Sequence, residues 1–159
     1  MQPETIYDTY TIDTPIGTMI ATADENGIAS LDFTDKTPQI IISKYPLLLQ
    51  LEKELHEYFA GKRKVFTLPL NPHGTPFQKQ VWETLQTIPY GETISYAQEA
   101  EIFGNPKAVR AVANANGRNP IAILIPCHRV IASGGGLGGY SGGIEKKEFL
   151  LALEKQEKE

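Results

Sequence analysis

The fold of the C-terminal half is decided by residues 95–118, which read SYAQEAEIFGNPKAVRAVANANGR. Ser95 and Gln98 form a capping box, which predicts a helix over 96–104. A second helix is predicted over 107–116, because Asn-Pro precedes it and Gly117 follows it. Two capped helices joined by a tight, Gly-containing turn are typical of a helix-turn-helix.

The second helix of this pair has almost no bulky side chains. It carries Ala108, Ala111, Ala113 and Ala115, with Arg110 among them. Good helix propensity or tight helix packing explains such a composition. A second interpretation is that a smooth helix approaches a nucleic-acid groove closely and leaves one arginine to reach inside.

The only cysteine of the chain lies in the pentapeptide 126–130, PCHRV, directly after the apolar run 121–125. A lone cysteine beside an apolar run is usually a small buried hydrophobe. Here His128 and Arg129 are costly to bury, and the Gly-rich stretch 133–143 follows at once. Because neighbouring cationic and basic groups generate a thiolate, this pattern favours a nucleophilic Cys127.

The segments around this region predict an α+β protein of two domains, 1–73 and 74–159. The turn-rich linker 71–74 separates them, and a helix starts at Thr75-Pro76. The last helix, from about residue 144, is expected to bury Phe149 and to expose Lys147. In the first domain the predicted elements are strands over 10–12, 18–23, 28–33 and 65–70, a hairpin turn at Asn26-Gly27 and a helix over 47–59.

Composition limits the function classes. The apolar fraction of 41% supports a real core, and no signal peptide or apolar stretch of spanning length is found, so a soluble cytoplasmic protein is predicted. One Cys and three His at unsuitable spacings make a zinc site unexpected. The net charge of −4 argues against a nucleic-acid partner, but residues 105–144 carry +4 and no acid, leaving −8 elsewhere.

Several motifs occur in a fixed order along the second domain, and together they resemble the O6-alkylguanine-DNA alkyltransferases. The resemblance covers residues 75–154. It implies a small ribonuclease-H-like N-terminal domain followed by a mainly helical, winged-helix-like domain with a helix-turn-helix. The motifs are GETISY at 91–96, GNP at 104–106, RAV at 110–112, NP at 119–120, IPCHRV at 125–130 and YSGG at 140–143.

The resemblance implies that Cys127 accepts the alkyl group from O6 of guanine in duplex DNA and keeps it. In this family a histidine, matching His128, deprotonates the cysteine through a water and is oriented by a glutamate, matching Glu154. A tyrosine, matching Tyr96, assists the leaving guanine. Asn119 matches an asparagine that ties the helix-turn-helix to the active-site segment.

The resemblance also assigns the binding surfaces. The family places its second helix in the minor groove and flips the target base into a pocket. The arginine that fills the vacated stack matches Arg110. The DNA-binding residues expected here are Lys107, Ala108, Arg110, Ala111, Ala115, Asn116 and Arg118, and the base pocket is expected to contain Tyr96, Val130, Tyr140 and Ser141.

The expected reaction is a single-turnover, methylated-DNA–protein-cysteine S-methyltransferase activity of a monomer, without cofactor or metal. Its partner is double-stranded DNA containing O6-alkylguanine, and no membrane is involved. Whether O4-alkylthymine is also accepted stays open at this point. Glu99 departs from the family, which usually has an apolar residue at this position.

Two other functions remain open on the residues alone. The protein could be a binding module that senses damaged DNA, with Cys127 vestigial or redox-sensing, as the negative net charge and Glu99 suggest. A thiol hydrolase with a Cys-His-Glu triad is the third hypothesis. It leaves the bare second helix and Arg110 without a role.

Overall fold

The computed structural model describes residues 8–34, 39–134, 136–140 and 142–156. Its contacts divide the chain into two compact units, Met1–His73 and Gly74–Glu159. The first is an antiparallel sheet with one helix and the second is mainly helical, so the predicted α+β class is confirmed.

The first unit is a three-stranded antiparallel meander with a helix packed against it. Alternating residues of the strands, such as Ile12, Met19 and Leu31, are fully buried, and α1 adds Leu48 and Leu51 to the same core. The predicted strands 10–12, 18–23 and 28–33 and the predicted helix are confirmed. The elements are β1 (Asp8–Thr14), β2 (Gly17–Asp24), β3 (Gly27–Phe33) and α1 (Pro46–Phe59), and the strand order is β1-β2-β3.

The predicted strand over 65–70 is wrong. Only Leu70 makes a bridge, to Ile28, and Val65 is 71% exposed. The segment is held by α1 instead, because Glu54 accepts hydrogen bonds from the Thr67 backbone N–H at 2.9 Å and from its hydroxyl at 2.6 Å. The Glu54 side chain of α1 thus accepts from the Thr67 backbone N–H, which a strand would use for its ladder.

The described residues of the second unit form four α-helices and a short parallel sheet. Strands β4 and β5 pair in parallel, Ile94 with Val130 and Ser95 with Ile131. This pairing brings the start of the helix-turn-helix beside the cysteine segment. The elements are α2 (Pro76–Leu85), β4 (Ile94–Ser95), α3 (Tyr96–Phe103), α4 (Val109–Asn116), β5 (Val130–Ile131) and α5 (Ile144–Gln156), with 3-10 turns at Pro106–Ala108 and Cys127–Arg129.

The predicted helix starts are confirmed by reciprocal side-chain caps. Thr75 caps α2 with Gln78, and Ser95 caps α3 with Gln98. Gly104, with φ of 105°, ends α3 in a left-handed conformation that favours glycine. The second helix begins later than predicted, since the 3-10 turn Pro106–Ala108 precedes α4.

Trp82 joins the helix-turn-helix to α2. Its indole is 1% exposed, and its Nε1–H donates to the backbone carbonyl of Ala115 at 2.9 Å. Val112 of α4 and Ala100 of α3 are also fully buried. The two helices of the pair are therefore fixed through one shared core.

Two expectations for α5 are wrong. Lys147 is fully buried, while Phe149 is 38% exposed. The Lys147 ammonium donates hydrogen bonds to the carbonyls of Val130 at 2.7 Å and Gly139 at 3.1 Å. These two bonds compensate the burial of a charge that the sequence pattern predicts to be exposed to water. Over the residues that are described, no helix has the length and apolar character needed to span a membrane.

Candidate active site around Cys127

Cys127 stands at the end of a tightly folded apolar segment. Ile123 has φ of 73°, a left-handed conformation that costs a β-branched residue about 1–3 kcal/mol. The chain doubles back here, since the Leu124 N–H donates to the Ala122 carbonyl and the Cys127 N–H to the Ile125 carbonyl, both at 2.8 Å. The cysteine is half-buried at the start of a 3-10 turn.

Asn119 connects the end of the helix-turn-helix to this segment. Its Nδ2 donates to the Ile125 carbonyl at 2.7 Å, and its Oδ1 accepts from the Ile121 N–H at 2.9 Å. Both hydrogen bonds hold the backbone that leads into Cys127. The amide of Asn119 thus uses one donor and one acceptor to fix the approach to the thiol.

The environment of the thiol favours its protonated form. Burial raises the pKa of Cys127, and the charge of Glu99 raises it further. A hydrogen bond with Asn119 and the positive charge of Lys147 lower it, but less than burial raises it. The resting group at neutral pH is therefore a thiol, and a nucleophilic reaction here needs a base.

His128 is the base nearest in sequence, and it is fully buried. Its Nε2 lies 2.7 Å from Glu154 Oε2, whereas Nδ1 has no hydrogen-bond partner among the described residues. Burial lowers the pKa of His128, and the charges of Arg129 and Lys147 lower it further, so it lies below its usual value although the Glu154 carboxylate raises it. We assign a neutral imidazole with the proton on Nε2, which leaves the Nδ1 lone pair to accept a proton.

Glu154 is ionised, and its carboxylate is bound by His128, by Arg129 and, at 3.3 Å, by the Gly91 backbone N–H. Burial alone would raise the pKa of Glu154, but the hydrogen bonds from His128 and Arg129 and the charge of Arg129 hold it well below its usual range. Arg129 donates from Nε to Oε1 at 2.8 Å and from Nη2 to Oε2 at 3.0 Å. Its remaining Nη1 donates to the Ile88 carbonyl at 2.7 Å, so the guanidinium is satisfied inside the protein.

Tyr96 and the Gly-rich loop form the opposite side of the site. Burial raises the pKa of the Tyr96 phenol while the Gly139 backbone amide lowers it, and a Cβ on Gly138 would lie 2.7 Å from the phenol oxygen. Gly138 also has φ of 73°. The loop can approach the phenol this closely because position 138 has no side chain.

A cavity of about 240 Å³ opens onto the thiol. Four of the predicted site residues line it: Tyr96, Asn116, Cys127 and Tyr140. The other lining residues are Ala113, Gly117 and Gly139. The cavity thus lies between α4, the start of α3 and the Gly-rich loop.

Other predicted site residues lie elsewhere. Val130 is fully buried and does not line the cavity, although its carbonyl accepts from Lys147. Ser141 lies outside the described residues. Ala115 is 3% exposed and belongs to the core, so it is removed from the expected DNA-contacting set.

Of the remaining predicted DNA-binding residues, four are exposed: Lys107, Arg110, Ala111 and Arg118. Asn116 is buried in the cavity wall, and Ala108 is half-buried. Arg129, which contributed to the basic character of 105–144, is neutralised internally by Glu154. Three exposed cations of this segment therefore remain for DNA: Lys107, Arg110 and Arg118.

The sequence does not predict the roles that three residues near the thiol have in the structure. Lys147 is expected on the surface, Arg129 is expected as a cationic neighbour of the thiol rather than as the partner of Glu154, and Glu99 has no expected partner. The pair Arg129–Glu154 could be anticipated, since a buried arginine beside a reactive cysteine needs an acid. Nothing in the local pattern of α5 distinguishes Lys147 from its exposed neighbours.

A comparison of the sequence with known families matches both units. Residues 6–72 match the domain described as "6-O-methylguanine DNA methyltransferase, ribonuclease-like domain". Residues 76–156 match the domain described as "6-O-methylguanine DNA methyltransferase, DNA binding domain". Together these two matches cover most of the chain.

Individual relatives are similar over nearly their whole length. A methylated-DNA–protein-cysteine methyltransferase of Methanosarcina acetivorans is 46% identical over 147 residues, covering 89% of this chain and 94% of the relative. The constitutive enzyme of that name from Bacillus subtilis is 45% identical over 154 residues, covering 91% and 93%. The crystal structure of the Mycobacterium tuberculosis O6-methylguanine methyltransferase is 42% identical, with a TM-score of 0.84 and 94% of each chain covered.

The fold and the site define a two-unit protein with a helix-turn-helix and a nucleophilic cysteine at a cavity. The chain belongs to the 6-O-methylguanine DNA methyltransferase family. The similar Mycobacterium tuberculosis protein has also been crystallised in complex with DNA.

Proposed function

We propose that this chain repairs DNA by taking the alkyl group of O6-alkylguanine onto the sulfur of Cys127, once per molecule. The observation that carries the proposal is the position of Cys127 on a cavity of about 240 Å³. The next residue in the sequence is His128, whose Nε2 lies 2.7 Å from the Glu154 carboxylate. The family and the names of its relatives support the same reaction. The enzyme is a methylated-DNA–protein-cysteine S-methyltransferase.

The chemistry is a displacement at the alkyl carbon. The Cys127 sulfur forms a bond to that carbon as the bond from carbon to O6 breaks, and the electron pair stays on the guanine. The thiol proton passes through a water to Nδ1 of His128, which has no other partner among the described residues. Glu154 orients the imidazole and stabilises its positive charge.

Tyr96 assists the departing base. Because burial raises the pKa of the Tyr96 phenol, its hydroxyl keeps its proton and can donate a hydrogen bond to the guanine as negative charge develops on the base. Tyr140, which also lines the cavity, completes the described part of the base pocket. Asn119 keeps Cys127 aligned, because its side chain binds the backbone that precedes the thiol at both Ile121 and Ile125.

The DNA partner binds at the exposed face of α4. Ala111 lets the helix approach the minor groove, and Lys107 and Arg118 contact phosphates. Arg110 enters the stack as the target base is flipped into the cavity, which offsets an unstacking cost of a few kcal/mol. Contacts of this kind carry little sequence information, which suits a protein that must act at any guanine.

The protein acts as a monomer on double-stranded DNA in the cytoplasm, without cofactor, metal or membrane. A reducing compartment suits an acceptor that must remain a free thiol. The O4-alkyl group of thymine is a second candidate substrate, since the same displacement chemistry applies to it.

Intact-mass measurement after mixing with a duplex carrying one O6-methylguanine tests the function. The expected result is a gain of one methyl group, which stops at one per molecule and maps to the Cys127 peptide. The Cys127→Ala protein is the matched control and should gain nothing while still binding the duplex. An unmodified wild-type protein that binds the duplex tightly would instead identify a lesion-sensing protein.

A further inference from the structure

A buried acid stands beside the cavity, at the position where the sequence departs from its family. Glu99 of α3 is fully buried, and Asn116 of α4, which lines the cavity, is 7% exposed. Asn116 Nδ2 donates to Glu99 Oε1 at 2.6 Å. This hydrogen bond joins the two helices of the helix-turn-helix inside the protein.

Each partner of this bond also has a buried atom without a hydrogen-bond partner among the described residues. These atoms are Oε2 of Glu99 and Oδ1 of Asn116. Both are acceptors when the glutamate is ionised, so neither can satisfy the other. An unsatisfied buried acceptor costs about 1–3 kcal/mol, and two from one pair need an explanation.

A single proton on Glu99 satisfies both of these acceptors. A carboxylic acid protonated on Oε2 has an O–H that can donate to Asn116 Oδ1, while Asn116 Nδ2 donates to Oε1. The acid and the amide then form a cyclic pair with two hydrogen bonds, and no charge is buried.

We propose that Glu99 is a positioning residue, held as a neutral carboxylic acid that pairs cyclically with Asn116 and fixes this wall of the alkyl-acceptor pocket. Loss of its proton breaks the pair and puts a negative charge beside the site. The proposal deepens the proposed function and rests on it for its kinetic consequence.

The surroundings of Glu99 support the neutral form. Burial raises the pKa of Glu99 to about 7, and the hydrogen bond from Asn116 only partly opposes this. The titratable groups that respond to its charge are Tyr96 and Cys127. The charged residues of α2, of the 3-10 turn and of α4 that pack against α3 are exposed, namely Lys79, Glu83, Lys107 and Arg110. Lys147 of α5 is buried, with its Nζ 6.0 Å from the centre of the Tyr96 ring, but it is not among the causes that shift the pKa of Glu99.

No cation in the described part of the chain lowers the pKa of Glu99, so an ionised Glu99 has no counter-charge there. Among the described residues, its one hydrogen bond is to the neutral amide of Asn116. An ionised Glu99 raises the pKa of the Cys127 thiol and of the Tyr96 phenol. Raising the thiol pKa reduces the thiolate available for attack, so the ionised form slows the reaction.

Glu99→Gln preserves the two hydrogen bonds to Asn116 without requiring a protonated carboxyl group. A glutamine at this position has the same shape and can donate from its amide to Asn116 Oδ1 at every pH. We expect the rate constant of methyl transfer for Glu99→Gln, divided by that of the unaltered protein, to rise roughly threefold or more between about pH 6 and pH 8.5. Glu101→Gln, an exposed acid on the same helix, is the matched control and should give a flat ratio.

The titration of Glu99 can be followed without the reaction. In protein labelled with ¹³C at the glutamate carboxyl carbons, the resonance that is missing from Glu99→Gln should titrate with a midpoint near neutral pH. A midpoint at the ordinary value near 4.5, or a ratio of rate constants that does not change with pH, would overturn the proposal. Failure of the unaltered protein to accept methyl at about pH 6 would contradict the proposed function instead, and the carboxyl titration would still decide the state of Glu99.

Discussion

Glu154 Oε2 lies 2.7 Å from His128 Nε2, and the same carboxylate accepts two hydrogen bonds from Arg129. One buried acid therefore orients the base of the site and neutralises a buried guanidinium. It joins α5 to the 3-10 turn that carries the cysteine. The sequence separates Glu154 from Arg129 by 25 residues, so this arrangement depends on the docking of α5.

Glu154→Gln should destabilise the protein by about 3–5 kcal/mol, because it leaves the Arg129 charge buried without a counter-charge. The free energy of unfolding in urea measures this change. Glu148→Gln, an exposed acid on the same helix, should change stability by less than about 0.5 kcal/mol. Equal stabilities for the two variants would show that the pair with Arg129 is not what holds α5.

His128→Gln should slow methyl transfer at neutral pH by roughly 10²- to 10⁴-fold, the usual contribution of a general base. The deficit should shrink as the pH rises, because the Cys127 thiol, with its raised pKa, then ionises without help. A time course of methyl uptake from the duplex at several pH values measures both effects. A deficit that stays constant with pH would argue that His128 acts by packing alone.

Arg110→Ala should slow methyl transfer from a duplex by roughly tenfold or more, since the vacated stack is no longer filled. Reaction with free O6-methylguanine, which needs no base flipping, should fall much less. The Arg110 side chain is exposed, so stability should change by less than about 0.5 kcal/mol.

Lys107→Ala is the comparison for Arg110→Ala. It should weaken duplex binding and reduce the salt dependence of binding without a specific defect in flipping. If Arg110→Ala lost activity on duplex and free base equally, the role in flipping would be wrong.

Gly138→Ala should impair the site, because φ is 73° and the new Cβ would lie 2.7 Å from the Tyr96 hydroxyl. We expect slower methyl transfer and a larger loss for bulky alkyl groups, as the loop or the phenol is displaced into the cavity. Gly134→Ala is the control in the same loop, since its Cβ would meet no atom within 4 Å. Competition between methyl and benzyl substrates gives the readout, and equal losses for both would contradict the steric account.

Glu99 should make stability depend on pH. Its pKa is raised to about 7 in the folded protein, above the ordinary value near 4.5 that applies when the chain unfolds. The folded state binds more protons between these values, so stability should fall as the pH rises through this window and then level off. The total loss is roughly 3 kcal/mol.

Unfolding in urea at about pH 4.5, 6, 7 and 8 tests this dependence. Glu99→Gln should lack the decline that the unaltered protein shows over this window. The difference between the two proteins is the relevant quantity, because the other titrating groups are common to both. Parallel curves would mean that Glu99 is ionised in both the folded and unfolded states.

Much of the secondary structure was predictable because its causes are local. The capping boxes at Thr75 and Ser95 and the left-handed Gly104 are set by residues within a single turn. The strand expected over 65–70 failed because Glu54, on a different element, binds the backbone and hydroxyl of Thr67. β-strand propensity depends on the residues of the segment itself and does not include a side chain from another element that binds its backbone.

The sequence by itself determined the helix-turn-helix, the hairpin at Asn26-Gly27 and the cysteine with its adjacent histidine, since each depends on short-range spacing. Only the tertiary structure decided that Lys147 is buried on the Val130 and Gly139 carbonyls and that Asn116 meets Glu99 beside the cavity. The physical reason is that burial of a charge or an acid depends on partners supplied by distant segments. Those partners decide whether the same side chain belongs in water or in the core.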